Sequence, residues 1–234
     1  MMVGFVSDAH GNPAGLAGCL RAVERRGAGR IYFLGDAVGY LPEVNEVLDL
    51  LRSSAAVCIR GNHEAMLLGA LPIPADRAGI YRLDEARQRL HDRHRAWIET
   101  WPEHLEVALE GAQLLLVHGS PADRLRGYVY PDSDLSPFRE LPFQGVLMGH
   151  THRPFIASAG KVTLVNVGSC GMPRDVGYLA SCGLYDGATR AFEILRIPFD
   201  GPGLADKWSG RIDPSAAACL RRAGGGGQVG TGST

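Results

Sequence analysis

The sequence predicts a mixed α/β chain in which two β-sheets pack together with helices outside. Three observations carry that expectation. The first sixty residues alternate between strand and helix periods, those after 104 read as hairpins, and the composition is that of an ordinary folded chain. At 234 residues, one domain of generous size can bury a large core without disulfide or metal staples. Its 45% hydrophobic and 21% charged residues exclude a disordered chain.

The elements follow in order. Residues 2–7 form a short apolar run, read as a buried strand. Residues 13–26 carry Leu16, Leu20 and Val23 at helical spacing, with Asn12 as N-cap and Pro13 at the first helical position. A second strand is expected over 30–34 and a helix over 42–52, with Val44, Val47, Leu48 and Leu51 on one face. A third strand over 55–59 completes two crossover units and a parallel sheet. Residues 62–101 read as helical, dense in Arg, Glu and Ala, with a break around 71–74. Runs at 105–109 and 113–118 flank Glu110-Gly111, a hairpin signal. Residues 119–144, rich in Pro, Asp and Arg, read as a loop with a short helix near 134–141. Strands are expected over 145–148, 155–159 and 162–167, and a final hairpin joins 178–185 to 191–197 across Asp186-Gly187. Periodicity fades from Asp200, and the end is Gly-rich. The chain therefore divides into a domain over 1–199 and a low-complexity tail over 200–234 expected to be disordered.

Charge and cysteine usage exclude several classes. Lys and Arg total 24 against 25 Asp and Glu, so no basic surface is implied, which argues against a nucleic-acid partner other than a small nucleotide substrate. The five cysteines (Cys19, Cys58, Cys170, Cys182, Cys219) are odd in number, scattered and without C-x-x-C, which speaks for reduced thiols. An acidic residue stands at position 8 and no apolar run reaches the roughly 20 residues of a membrane span. A cytoplasmic protein with no membrane partner is expected, and a homo-oligomer is compatible with the sequence.

The chemistry sits at strand ends. Asp8-x-His10 follows the first strand, Gly35-Asp36 the second and Gly61-Asn62-His63-Glu64 the third. His118-Gly119 and Gly149-His150-Thr151-His152 follow two later strands. In open α/β sheets, sites assemble at that edge. Five of eight histidines stand there beside Asp, Asn and Gly, which points to a metal site. Imidazole, carboxylate and amide oxygen without thiolate suit Mn, Fe or Zn, and there are too many ligands for one ion. Two ions roughly 3.5–4 Å apart need a shared carboxylate, for which Asp36 is the central candidate. The adjoining glycines allow sharp turns close to the ions.

These blocks, in this order, resemble the calcineurin-like metallophosphoesterase superfamily over residues 1–197. The stretch Asn166-Val-Gly-Ser-Cys-Gly-Met-Pro-Arg174-Asp175 resembles a segment of its small bacterial and archaeal phosphodiesterase branch, with Val167 where Pro is usual. The resemblance implies an α/β (α+β) fold, a four-layer αββα sandwich of two mixed β-sheets flanked by helices. It implies that Asp8, His10 and His152 hold one divalent ion, that Asn62, His118 and His150 hold a second, and that Asp36 bridges both. Mn is the expected metal, with Fe, Zn, Ni and Mg as alternatives. His63 is then the general acid or transition-state stabiliser at the leaving group. The implied reaction is hydrolysis of a small phosphodiester, or a phosphomonoester, by a hydroxide shared between the two ions.

Further residues are candidate substrate contacts: Arg60, Tyr40 and Arg174, with Asn62 beside them. Gly35-Asp36-Ala37-Val38-Gly39-Tyr40 lacks the Arg that protein phosphatases and dinucleoside tetraphosphatases carry in G-D-x-x-D-R-G, while Arg60-Gly-Asn-His-Glu64 matches their R-G-N-H-E; the balance disfavours a protein phosphatase and leaves a dinucleoside polyphosphate hydrolase as an alternative. A non-catalytic metal-binding scaffold is the reading from another class, and the complete ligand set with His63 argues against it. Glu64 reads as a helix-start acid, and the 119–144 loop, joining two ligand blocks, as the element that sets substrate choice.

Overall fold

The computed structural model describes residues 1–224. Two mixed five-stranded sheets form its centre. The first runs β10-β9-β1-β2-β3, built from β1 (Met2–Val6), β2 (Ala28–Phe33), β3 (Val57–Cys58), β9 (Leu179–Asp186) and β10 (Ala191–Pro198). The second runs β4-β5-β6-β8-β7, from β4 (His104–Leu109), β5 (Ala112–Val117), β6 (Gly145–Met148), β7 (Phe155–Ala159) and β8 (Val162–Asn166). Pairing is parallel for β1–β2, β2–β3, β5–β6 and β6–β8, and antiparallel at the hairpins and for β1–β9.

The two-residue period of each strand sorts side chains between layers. On β1, Val3 and Phe5 face the second sheet, where they meet Leu114, Leu116, Leu147 and Val165. Val6 points the other way, into a core shared with Leu16, Leu20 and Val23 of α1 (Pro13–Arg25) and Val47, Leu48 and Leu51 of α2 (Val44–Ser53). On the second sheet, Leu115, Val117, Val146 and Met148 form an outer face, covered by Leu135, Phe138, Leu141 and Phe143 of the 119–144 segment. That segment contains one 3₁₀ turn at Ser136–Phe138, shorter than the helix expected over 134–141.

The middle of the chain breaks into four short helices: α3 (Asn62–Leu67), α4 (Ala78–Tyr81), α5 (Leu83–Arg89) and α6 (Asp92–Glu99). β3 holds two ladder residues where five were expected, because Ile59 turns into the inter-sheet core and the chain bends towards the site. The expected tail is corrected more substantially. Residues after 200 fold into α7 (Gly201–Lys207) and α8 (Pro214–Leu220). Each is two turns long, too short for a periodic signal. Asp200 and Asp213 cap them, and Pro202 and Pro214 sit in their first turns. Their stability comes from packing Leu204, Ile212, Ala216 and Leu220 against Tyr40, Leu41 and Met172, which propensity does not reveal. The Gly-rich end, 225–234, lies outside the described residues. Among the described residues, no helix is long and apolar enough to cross a membrane.

Candidate metal centre

The parallel strands of both sheets end at one shared edge, and eight sequence-predicted residues meet there. Asp8, His10, Asp36, Asn62, His63, His118, His150 and His152 are all buried. Potential metal ligands form three overlapping groups: Asp8, His10 and His152; His10, Asp36 and His63; Asp36, His118 and His150. Asp36 and His10 each belong to two of them.

Hydrogen bonds fix which atoms face inward. His10 Nδ1 lies 3.1 Å from Val38 O, His152 Nδ1 2.6 Å from Met172 O, and His118 Nδ1 2.8 Å from Leu34 O. A carbonyl only accepts, so each Nδ1 carries a proton and each ring turns its Nε2 to the cluster. His10 Nε2 and His152 Nε2 then face each other at 3.0 Å, with Asp8 Oδ1 at 3.6 Å and 3.2 Å. His118 Nε2 meets Asn62 Oδ1 at 3.0 Å and Asp36 Oδ2 at 3.3 Å. Each carboxylate has one oxygen held by a backbone N–H: Asp8 Oδ2 accepts from His150 and Asp36 Oδ1 from His63. The other oxygen of each is turned to the cluster. Asp8 Oδ1 and His150 Nε2 are buried without a hydrogen-bond partner. Converging lone pairs of this kind repel one another and are reconciled by a cation. The donor set of imidazole nitrogens, carboxylates and one amide oxygen fits divalent metal.

Electrostatics agree with that fit. Burial alone raises the carboxyl pKa of Asp8 and Asp36, yet His152 beside Asp8 and His118 and His63 beside Asp36 hold both groups well below the usual range. Burial pushes His63 and His150 down to about 3 and His152 to about 4. His118 is the exception. Burial opposes its charge, but the Asp36 carboxylate outweighs it and raises the group to about 10. The strongest pull on positive charge is therefore at Asp36.

The backbone is bent to reach this arrangement. Asp8, His10, Asp36, Tyr40, His150 and His152 all have φ between +47° and +65°. For non-glycine residues this region costs roughly 1–2 kcal/mol each. Glycine matters here for proximity: a Cβ on Gly61 would sit 2.1 Å from Asp36 Oδ1, and one on Gly149 2.4 Å from Asp8 Oδ2. Neighbouring side chains hold the bends. Asn166 Nδ2 donates to Gly149 O and Thr151 Oγ1, and Ser169 Oγ donates to Asp8 O. Val167, where Pro is usual in the resembling segment, donates its N–H to Met148 O at 2.8 Å and packs in the inter-sheet core.

Glu64 has a larger part than a helix-start acid. Its buried carboxylate accepts backbone N–H bonds from Asp36, Ala37, Val38 and Gly61, at 2.8, 2.8, 3.3 and 2.9 Å. Burial and the nearby Asp36 charge raise its pKa, while the backbone donors oppose the rise. It thereby fixes the Asp36 loop against the Asn62 helix. Its position beside Asn62-His63 was the available signal, but three of its four partners lie 26 to 28 residues away.

Of the candidate substrate contacts, two border the cluster. The Tyr40 ring packs on His10 and His63, at centroid distances of 4.8 and 5.3 Å, and Arg174 Nη2 donates to Tyr40 Oη at 3.3 Å. Arg60 is a correction. Its Nη2 donates to Glu99 O at 3.1 Å, and its backbone N–H to Pro102 O, so the side chain serves the 99–102 segment and not the cluster. Two aromatic neighbours escaped the sequence reading. Tyr81 packs on His63 at 4.5 Å, and Tyr128 on His150 at 4.4 Å. Neither belongs to a motif, so only the fold brings them here.

Comparison with known proteins places this geometry in a family. The model of the calcineurin-like phosphoesterase superfamily domain matches residues 1–186. The chain is 28% identical over 218 residues to the uncharacterized protein MJ0912 of Methanocaldococcus jannaschii, covering 85% of this chain and 88% of that protein. The crystal structure of a hypothetical protein, PH1004 from Pyrococcus horikoshii, is similar with a TM-score of 0.81 and 21% identity, over 95% and 98% of the two chains. That of a metallophosphoesterase from Sphaerobacter thermophilus gives 0.80 and 21%, over 94% and 98%. The family match covers well over half of the sequence: the chain belongs to the calcineurin-like phosphoesterase superfamily.

Proposed function

Because the chain is a calcineurin-like phosphoesterase by family, we propose that it hydrolyses small phosphodiesters, or phosphomonoesters, with two divalent metal ions. The single observation that carries this reading is the double cluster joined through Asp36 Oδ2, which lies 3.6 Å from His10 Nε2 and 3.3 Å from His118 Nε2. Asp8, His10 and His152 would hold one ion, Asn62, His118 and His150 the other, and Asp36 would be shared between them. Manganese is the proposed ion, since nitrogen and oxygen donors without thiolate suit it. When bound, such a pair supplies Lewis acidity and a hydroxide nucleophile at neutral pH.

The chain's own residues do the rest. Arg174 and Tyr40 lie side by side at the border and orient a phosphate oxygen by charge and hydroxyl donation. Asn62, whose Oδ1 meets His118 Nε2 in the cluster, adds an amide contact to the substrate. His63 is gripped between the rings of Tyr40 and Tyr81, with Nε2 4.0 Å from Asp36 Oδ2. A ring so held donates an N–H hydrogen bond to the departing ester oxygen and stabilises the charge that builds there. Water oxygen forms the new bond to phosphorus, the ester P–O bond breaks, and the leaving oxygen takes the proton that the water gives up.

The test is hydrolysis by stripped protein resupplied with Mn²⁺, Ni²⁺, Zn²⁺ or Mg²⁺, using a chromogenic phosphodiester and its monoester side by side. Turnover that depends on added metal and is lost in Asp36→Asn and His118→Ala is the expected result. Retained turnover in both variants contradicts the mechanism.

A further inference from the structure

The 119–144 segment carries one feature that the hydrolytic machinery does not use. Tyr128 is 56% exposed, the most exposed of the five large apolar side chains that remain exposed among the described residues. The ring is nonetheless held in place. It lies at 4.4 Å and 41° to the ring of His150, and nearly parallel, at 6.0 Å and 10°, to that of Tyr130. Met1, Val57, Ile156 and Tyr178, the other four, have no aromatic contact with the cluster. The loop that carries Tyr128 is anchored nearby, with Gly127 N–H bonded to Asp123 O and Asp123 Oδ1 accepting from Leu125 and Arg126.

A tyrosine held against the cluster and open to solvent offers rigid aromatic area at little entropic cost. Arg174 and Tyr40 border the cluster as the charged and hydroxyl side of the mouth. We infer that Tyr128 is a specificity-determining residue, an aromatic platform for the substituent that stays on phosphorus, favouring phosphodiesters whose retained group is a planar ring such as an aryl group or a nucleobase. The inference rests on the phosphoesterase reading and narrows its substrate class.

The test uses three p-nitrophenyl phosphodiesters with one leaving group and different retained substituents: methyl, phenyl and thymidine 5′. Base stacking on a single side chain is worth roughly a tenfold effect on alanine substitution. Tyr128→Ala is therefore expected to lower kcat/KM for the phenyl and thymidine esters by about tenfold, and for the methyl ester by less than about twofold. Tyr128→Phe keeps the preference, since the ring and not the hydroxyl provides the surface. Equal losses on methyl and thymidine esters mean that the ring only covers His150 and overturn the inference, as does no loss on any ester. A calorimetric arm separates this result from failure of the phosphoesterase reading. Manganese-loaded protein is titrated with thymidine 5′-phosphate and with methyl phosphate. Should none of the esters be cleaved, tighter binding of the thymidine compound that Tyr128→Ala abolishes still supports the platform, and equal binding of both overturns it.

Discussion

The two edges of the packed sheets use the same backbone conformation for different ends. At the edge where β1 begins, left-handed residues sit in hairpin turns: Glu110 and Gly111 between β4 and β5, Gly160 between β7 and β8. Those turns are solvated, and glycine or a polar residue adopts them at little cost. At the edge where β1 ends, the left-handed residues include buried aspartates and histidines, whose polar atoms converge on one another. Burial keeps them from bulk solvent. Compensation comes from Glu64, Asn166 and Ser169, whose side chains replace the backbone partners that the bends give up. Strain at one edge is turn geometry, and at the other it is held by a dedicated shell.

Substitutions graded across the two edges sharpen or break this contrast. The largest effect is expected at the shared carboxylate. Asp36→Asn should lower metal-dependent turnover by more than about a hundredfold, exceeding the loss typical of residues that only support a ligand. Steady-state kinetics check it. Next is Glu64→Ala, which leaves four backbone N–H groups without their acceptor, each worth roughly 1–3 kcal/mol when buried. Denaturant unfolding should show a loss of several kcal/mol or no folded protein at all; a loss below about 1 kcal/mol would break the claim that this carboxylate holds the bends.

Metal linkage follows in size. Saturation at about 100 times Kd should add roughly 2.7 kcal/mol of stability, raising Tm relative to chelator-treated protein. A Tm indifferent to Mn²⁺ would argue against a cluster built for cations. The smallest effects come from a matched pair of glycines. Gly149→Ala pushes a methyl within 2.4 Å of Asp8 Oδ2 and should weaken metal binding. Gly111→Ala, at φ +83° with its nearest atom 3.4 Å away, should cost only about 1 kcal/mol and leave metal affinity unchanged. Equal metal affinities for the two variants would erase the distinction between the edges.

The cluster was legible because its residues follow strands directly. Asp8, Asp36, Asn62, His118 and His150 each stand one or more places beyond an apolar run, and parallel strands bring such positions to one edge. Apolar runs on either side of turn residues likewise marked the hairpins, across Glu110-Gly111 and Asp186-Gly187. What escaped depends on contacts distant in sequence. Glu64 reaches back to the Asp36 loop, Arg60 turns to Glu99, and Tyr128 meets His150 only through the path of the 119–144 segment. The α7–α8 pair was misread for a related reason. Gly201 and Gly203 lower the helix propensity of α7, and burial of the pair against Tyr40 and Met172 overrides it.

The central claim is that Asp36 joins two cation sites. Elemental analysis of protein equilibrated with Mn²⁺ and freed of unbound metal tests it most directly, on wild type and Asp36→Asn in parallel. Two ions per chain in the wild type, with fewer in the variant, is the expected result. One ion or none in the wild type, or two undiminished ions in Asp36→Asn, would contradict it.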